Sequence, residues 1–222
     1  MIYPLLQRVT KRIVEIPKRG LPTFKLNHGP FDQELAPGIE TTSLVWLTNP
    51  FAKNYSRGLR YEPCSPEACR WVIANADVRA NEYYFVDVGC GKGRPLLIAS
   101  QHEFAHLLGV DYSQRLCRRA EENLVKAGVQ RKRFTIACED ATTFDFPEHN
   151  LLVYFFNPFD MTILDGVMRN LAMVAAKHSV IVGYEGPNRL FMERYDWLEQ
   201  TAEGWNVRLY RSRSGVGLRR AS

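Results

Sequence analysis

From residue 83 onwards the sequence repeats one pattern: a short run of strand formers, apolar on both faces, then a turn, then a helix-length segment. Tyr84-Phe85-Val86-Asp87-Val88, His106-Leu107-Leu108-Gly109-Val110-Asp111, and the segments 133–137, 151–156 and 179–184 are five such runs. Helical stretches over 95–99, 114–127 and 161–176 lie between them. In the second of these Leu116, Ala120, Leu124 and Ala127 share one face before Gly128 stops the pattern. Strands hidden on both faces and alternating with helices predict a parallel sheet covered on both sides, joined by right-handed crossovers. A further helix is expected near 188–201 and a sixth strand over 205–210. Ser214-Gly215 is placed as the turn into a short antiparallel seventh. The predicted class is α/β: a doubly wound, mostly parallel sheet of six or seven strands with helices on both faces.

The chain of 222 residues is long enough for one such domain with an appendage. Ile2, Leu5, Leu6, Val9, Ile13 and Ile16 recur at helical spacing among basic residues until Pro17, which predicts a basic amphipathic helix. Residues 17–63 are rich in Pro, Gly and Asn, and read as an irregular extension whose aromatics, among them Phe24, Phe31, Trp46 and Tyr61, suit a cover over the domain. Ser65 then caps a helix with Pro66 at its first position and Glu67 in its first turn. The expected division is 1–63, an amphipathic helix and irregular cap, and 64–222, the α/β domain.

The formal charge of +5 is unevenly spread. Residues 1–20 hold five basic groups and one acid, residues 204–222 hold five arginines and no acid, and the middle carries 19 Lys and Arg against 23 Asp and Glu. Basic ends invite contact with nucleic acid or an anionic surface through 1–20 and 204–222; the mildly acidic body does not. The five cysteines form no CxxC pair and no zinc spacing with His, which predicts free thiols and no metal site. No run is long and apolar enough for a transmembrane segment, and the N-terminus lacks a secretory signal, so a cytoplasmic location is expected.

Ligands of an open parallel sheet bind beyond the carboxyl ends of its strands. The first such loop is Asp87-Val88-Gly89-Cys90-Gly91-Lys92-Gly93-Arg94, whose glycines let the backbone turn sharply and let a ligand approach main-chain N–H groups. Its Gly-x-Gly-x-Gly spacing departs from the Gly-x-Gly-x-x-Gly of dinucleotide sites. The second strand ends at Asp111, which can accept from two vicinal ribose hydroxyls or simply cap the next helix. Glu139-Asp140-Ala141 follows the third strand and Asn157-Pro158-Phe159-Asp160 the fourth. Taken singly, the former is more commonly a solvated loop acid, and the latter reads equally well as a turn before a helix.

Together, these four loops resemble the class I S-adenosylmethionine-dependent methyltransferases in order and spacing, over roughly residues 60–211. The extension, with Gly38-Ile39-Glu40-Thr41-Thr42 and Arg60-Tyr61-Glu62-Pro63, further resembles a small, mostly uncharacterised bacterial subgroup. The resemblance implies a Rossmann-like fold and S-adenosyl-L-methionine as cofactor. It implies that Gly89, Gly91 and Gly93 make room for the methionine part, with Cys90 in the same turn, and that Asp87 holds its amino group. Asp111, with Tyr112 beside it, would bind the ribose, Asp140 the adenine amine, and the Ala141 N–H a ring nitrogen. Asn157 would line both the cofactor and the acceptor site, with Phe159 as its catalytic neighbour. Tyr61 is expected to close over the sulfonium or the methionine carboxylate. Members that methylate nucleobase or glutamine nitrogens often carry Asn-Pro-Pro-Tyr where this chain has Asn157-Pro158-Phe159-Asp160, so stacking of a base by that route is not expected. The expected activity is methyl transfer to an unidentified acceptor, a protein side chain or small molecule. Two alternatives stand beside it: a cofactor- or partner-binding protein without catalysis, and an RNA or DNA methyltransferase using its basic ends.

Overall fold

The computed structural model describes residues 31–43, 45–46, 60–156, 161–204 and 206–213. The helix expected over 2–16, the loop 157–160 and the turn expected at Ser214-Gly215 lie outside the described residues.

A short helix α1 (Phe31–Leu35) is followed by two short antiparallel strands, β1 (Val45–Trp46) and β2 (Arg60–Tyr61), paired Val45 to Tyr61. Helix α2 (Pro66–Asn75) begins as expected, with the Ser65 Oγ accepting the N–H of Ala68 and Pro66 in the first turn. The alternating region gives β3 (Tyr84–Val88), α3 (Arg94–Ala99), β4 (His106–Asp111), α4 (Gln114–Lys126), β5 (Phe134–Cys138), β6 (Leu151–Phe156), α5 (Met161–Ala175) and β7 (Val180–Glu185). Two further strands, β8 (Leu198–Glu203) and β9 (Val207–Ser212), complete a seven-stranded sheet in the order β5-β4-β3-β6-β7-β9-β8. The first five of these run parallel, and β9 is antiparallel to both β7 and β8.

The chain steps from β3 outward to β5, then crosses back to lay β6 on the other side of β3. Such a reversal, at the carboxyl ends of β3 and β6, is where open parallel sheets place their ligand crevice. The double-sided burial read from the sequence is visible residue by residue. Phe85 packs into a core with Leu107, Leu152 and Ile181 beneath α2 and α3, while its neighbour Val86 joins Val110, Val153 and Val167 beneath α5. Phe31 and Ile39 of the extension belong to the first of these cores. Helix α2 lies so close to β7 that a Cβ on Gly183 would stand 2.7 Å from Val72 Cγ1.

One expectation is corrected. Residues 188–201 do not form one helix: a 3-10 helix spans Pro187–Arg194, and 198–201 begin β8. Among the described residues strand β8 is at the sheet edge and pairs only with β9, and Glu199, Gln200, Thr201 and Glu203 are exposed. A strand with so many solvated polar residues lacks the apolar alternation that marks its inner neighbours. The described edge strand β8 thus precedes β9 in the chain and pairs antiparallel with it.

Candidate functional site

The turn after β3 is held by main-chain bonds to the neighbouring strand. The N–H groups of Gly89 and Cys90 both donate to Val110 O, at 2.8 and 3.0 Å, and the Gly93 N–H closes the turn on Cys90 O at 2.8 Å. The Gly91 N–H donates to Asp111 Oδ2 at 2.9 Å, and the Ser113 N–H to Asp111 Oδ1 at 2.8 Å. Gly91 has φ +54, and a Cβ there would stand 2.2 Å from Tyr61 Cε2. The Tyr61 ring thus rests directly on the backbone of Gly91, an approach that only glycine permits. Gly93, at φ +79, turns the chain into α3.

Two buried carboxylates lie beside this turn, at the carboxyl ends of β3 and β4. Asp87 Oδ2 is buried and has no hydrogen-bond partner among the described residues. Burial, and then the charge of Asp111, push the Asp87 pKa well above the usual carboxylate range. Burial also raises Asp111, to about 6, against the lowering effect of its two N–H donors. Register places Asp87 opposite Gly109, two residues before Asp111, so both acids sit at the carboxyl edge of neighbouring strands. A pair of under-neutralised carboxylates in this place calls for a cation.

Among the predicted residues, Tyr61, Asp87, Gly89, Cys90, Gly91, Gly93 and Asp111 meet around this one turn. The Glu139 N–H donates to Asp111 O at 3.0 Å and so ties the loop of Asp140 and Ala141 to the same edge. Asp140 Oδ1 accepts from the Thr142 N–H and hydroxyl, at 2.9 and 2.7 Å, and Ala141 is buried. Tyr112 follows Asp111 and is half-buried. Asn157 and Phe159 lie outside the described residues, immediately beyond the end of β6.

Sequence reasoning passed over several residues around the turn. Lys92 and Arg94 are both buried; a cation buried at the start of an apolar helix must have partners, which was the available signal. Glu185, at the end of β7, is buried too and accepts from the Tyr154 hydroxyl and the Ser65 N–H. Burial raises its pKa to about 7 in spite of those donors.

Residues 85–177 match a family model described as a methyltransferase domain. No curated protein sequence matches the chain. A predicted N6-adenine-specific DNA methylase from Listeria monocytogenes is similar in structure at TM-score 0.54 and 16% identity, covering 68% of this chain and 51% of that one. The Escherichia coli protein yhhF, named as a methyltransferase, is similar at TM-score 0.50 and 17% identity, covering 67% of this chain and 87% of that one. An RNA methyltransferase from Salinibacter ruber, solved with S-adenosyl-L-homocysteine, gives 0.49 at 17% identity, with 68% and 92% covered. At these identities the likeness to solved structures is one of fold.

Proposed function

We propose, starting from a chain that carries a class I S-adenosylmethionine-dependent methyltransferase domain, that the crevice beyond β3 and β6 holds the cofactor and presents it to a protein side chain or small-molecule acceptor. The observation that carries this reading is the buried Asp87 Oδ2 without a donor. It suits the α-ammonium of a methionine moiety, and Asp111, within reach of the same turn, suits vicinal ribose hydroxyls. Gly89, Cys90 and Gly93 belong to the turn that would line the methionine part, Gly91 seats the Tyr61 ring that would roof it, and Tyr112, Asp140 and Ala141 would line the nucleoside end. Asn157 and Phe159 are proposed for the acceptor side.

When bound, S-adenosylmethionine supplies an electrophilic methyl carbon on a sulfonium. Held by Asp87 and the glycine turn, it would give that methyl group to an acceptor atom as the bond to sulfur breaks, and the acceptor would lose its proton. Little covalent chemistry falls to the protein; its part is to hold the nucleophile in line and exclude water. Asp87 and Asp111 would bind and orient the cationic ligand, and Tyr61 would cover the cradle. A protein or small-molecule acceptor fits the mildly acidic body better than a polyanion does.

We further assign residues 1–63 to a cap and 64–222 to the catalytic domain, with a cytoplasmic location. The basic ends, 1–20 and 204–222, suit a secondary contact with nucleic acid or an anionic surface, which would weaken steeply with salt. The deciding experiment supplies tritiated-methyl S-adenosylmethionine and fractionated cell lysate to the wild type and to Asp111→Ala. Label in a protein or small-molecule fraction, absent with the variant, is the expected result. Cofactor binding with no label in any fraction would favour a binding protein without catalysis, and label in nucleic acid would move the acceptor class.

A further inference from the structure

The Gly38-Ile39-Glu40-Thr41-Thr42 run has no part in the cofactor roles above, yet it is bound to the glycine turn by a set of largely buried polar contacts. The Lys92 ammonium meets Glu40 Oε2 at 2.6 Å, Ser43 Oγ at 2.6 Å and Ser43 O at 2.8 Å. Asn123 of α4, fully buried, bridges the two segments: its Nδ2 donates to both Glu40 O and Lys92 O at 3.0 Å, and its Oδ1 accepts the Glu40 N–H at 3.2 Å. Arg94 donates to Thr41 Oγ1 at 2.7 Å, Thr42 Oγ1 at 3.2 Å and Cys64 O at 3.0 Å. Asp32 stands 3.7 Å from the same guanidinium and accepts from Thr41 and Thr42. The Tyr61 hydroxyl donates to Thr41 O at 2.7 Å while its ring covers Gly91.

The direction of these contacts matters. Lys92 and Arg94 belong to the turn that carries Gly91, whose N–H holds Asp111, and among the described residues neither cation hydrogen-bonds or ion-pairs with Asp87 or Asp111. Lys92 turns to the Glu40 carboxylate and to Ser43, and Arg94 to the hydroxyls of Thr41 and Thr42, the Cys64 carbonyl and the Asp32 carboxylate. A buried cation keeps its partner at a cost if the partner is removed. Without Glu40 and Ser43 the Lys92 ammonium would have to seek other acceptors, and the turn that carries Gly91 would lose the restraint on its shape.

We propose that Glu40 is a positioning residue for cofactor binding: by holding Lys92 toward the segment 38–43 it fixes the glycine turn, which leaves Asp87 to the ligand's ammonium and Asp111 to its ribose hydroxyls. The segment 38–43 is therefore part of the cofactor site without touching the cofactor. This inference rests on the methyltransferase reading and deepens it. It also gives the Gly38–Thr42 run a physical task, since Glu40 binds Lys92 and Thr41 and Thr42 bind Arg94.

The test measures S-adenosylhomocysteine affinity by calorimetry on the full chain. The variants are Glu40→Gln, Glu40→Asp and Ser43→Ala, with Val167→Ala as a comparator whose cavity lies in the core on the other face of the sheet. Glu40→Gln is expected to weaken binding about tenfold or more, Ser43→Ala about threefold, and Glu40→Asp to recover part of the loss. Val167→Ala is expected to lower the melting temperature while keeping affinity close to wild type. Wild-type affinity in Glu40→Gln, or equal losses of affinity in Glu40→Gln and Val167→Ala at matched melting temperatures, would overturn the proposal. Should Glu40→Gln fail to fold, the folded Ser43→Ala decides: weakened binding supports the proposal and unchanged binding refutes it. A wild type that binds neither S-adenosylhomocysteine nor S-adenosylmethionine would overturn the methyltransferase reading, and the proposal with it.

Discussion

Gly91 gives its backbone N–H to Asp111 Oδ2 at 2.9 Å, so the glycine turn after β3 and the acid ending β4 are fixed upon each other. One carboxylate thereby organises the turn and keeps its charge at the edge where a ribose would lie. A carboxylate oxygen has more than one lone pair, so the N–H and a hydroxyl can share it.

That dual use gives Asp111 a pH signature. Its pKa stands near 6, and hydroxyl groups donate better to the ionised form. Affinity for S-adenosylmethionine should be level above about pH 7 and fall by up to about tenfold per unit below about pH 6, where the carboxyl must first give up its proton. Calorimetry from about pH 5 to 8 checks this, with Asp111→Asn expected to bind weakly throughout; a level wild-type profile would remove Asp111 from the site.

Gly91→Ala forces a side chain at φ +54 and drives a Cβ to 2.2 Å from the Tyr61 ring. The backbone strain alone amounts to about 1–2 kcal/mol, and the ring must leave its seat. Cofactor affinity should drop by more than about tenfold. Adding Tyr61→Ala should restore stability in part, because the clash goes while the strain stays, which chemical denaturation of the double-mutant cycle measures.

Arg94 is 1% exposed, donating to Thr41, Thr42 and Cys64 O and facing Asp32. Arg94→Met preserves much of the volume yet strips these acceptors of their donor. The expected loss is about 3 kcal/mol or more, read by urea unfolding. Stability within about 0.5 kcal/mol of wild type would show that the extension is not held through this residue.

Glu185 predicts a pH dependence of stability. Its folded pKa, near 7, lies above the ordinary glutamate value, so its protonated form is the one the fold favours. The stability it contributes is complete below about pH 4.5 and is lost as pH rises through 7, a change of about 3 kcal/mol. Asp111 acts in the same sense at lower pH. Glu185→Gln should therefore gain on the wild type as pH rises from about 6 to 8. A difference that stays constant over that range would mean the carboxyl titrates normally.

Much of the fold was legible because its inner strands are buried on both faces: runs such as Leu151–Phe156 cannot be mistaken for amphipathic helix. The edge strand Leu198–Glu203 was not, since one hydrogen-bonding neighbour and mostly solvated side chains leave it no apolar pattern. Within the site, the glycines and Asp87 and Asp111 could be read because a sharp turn and a buried acid at a strand end demand those residue types. The contacts of Lys92 with Glu40 and of Asn123 with both segments join positions 52 and 83 residues apart, and no local pattern encodes such a pairing. The extension suggested a cover by its aromatics; that polar groups bind it to the glycine turn became visible only in the fold.

The most direct test of the account is a titration of S-adenosylmethionine, S-adenosylhomocysteine and NAD into the 222-residue chain and into Asp111→Ala. One site per chain for the first two ligands, no heat with NAD, and loss of binding in the variant are the results the account predicts. Binding of NAD in place of the methionine ligands, or unchanged binding in Asp111→Ala, would contradict it.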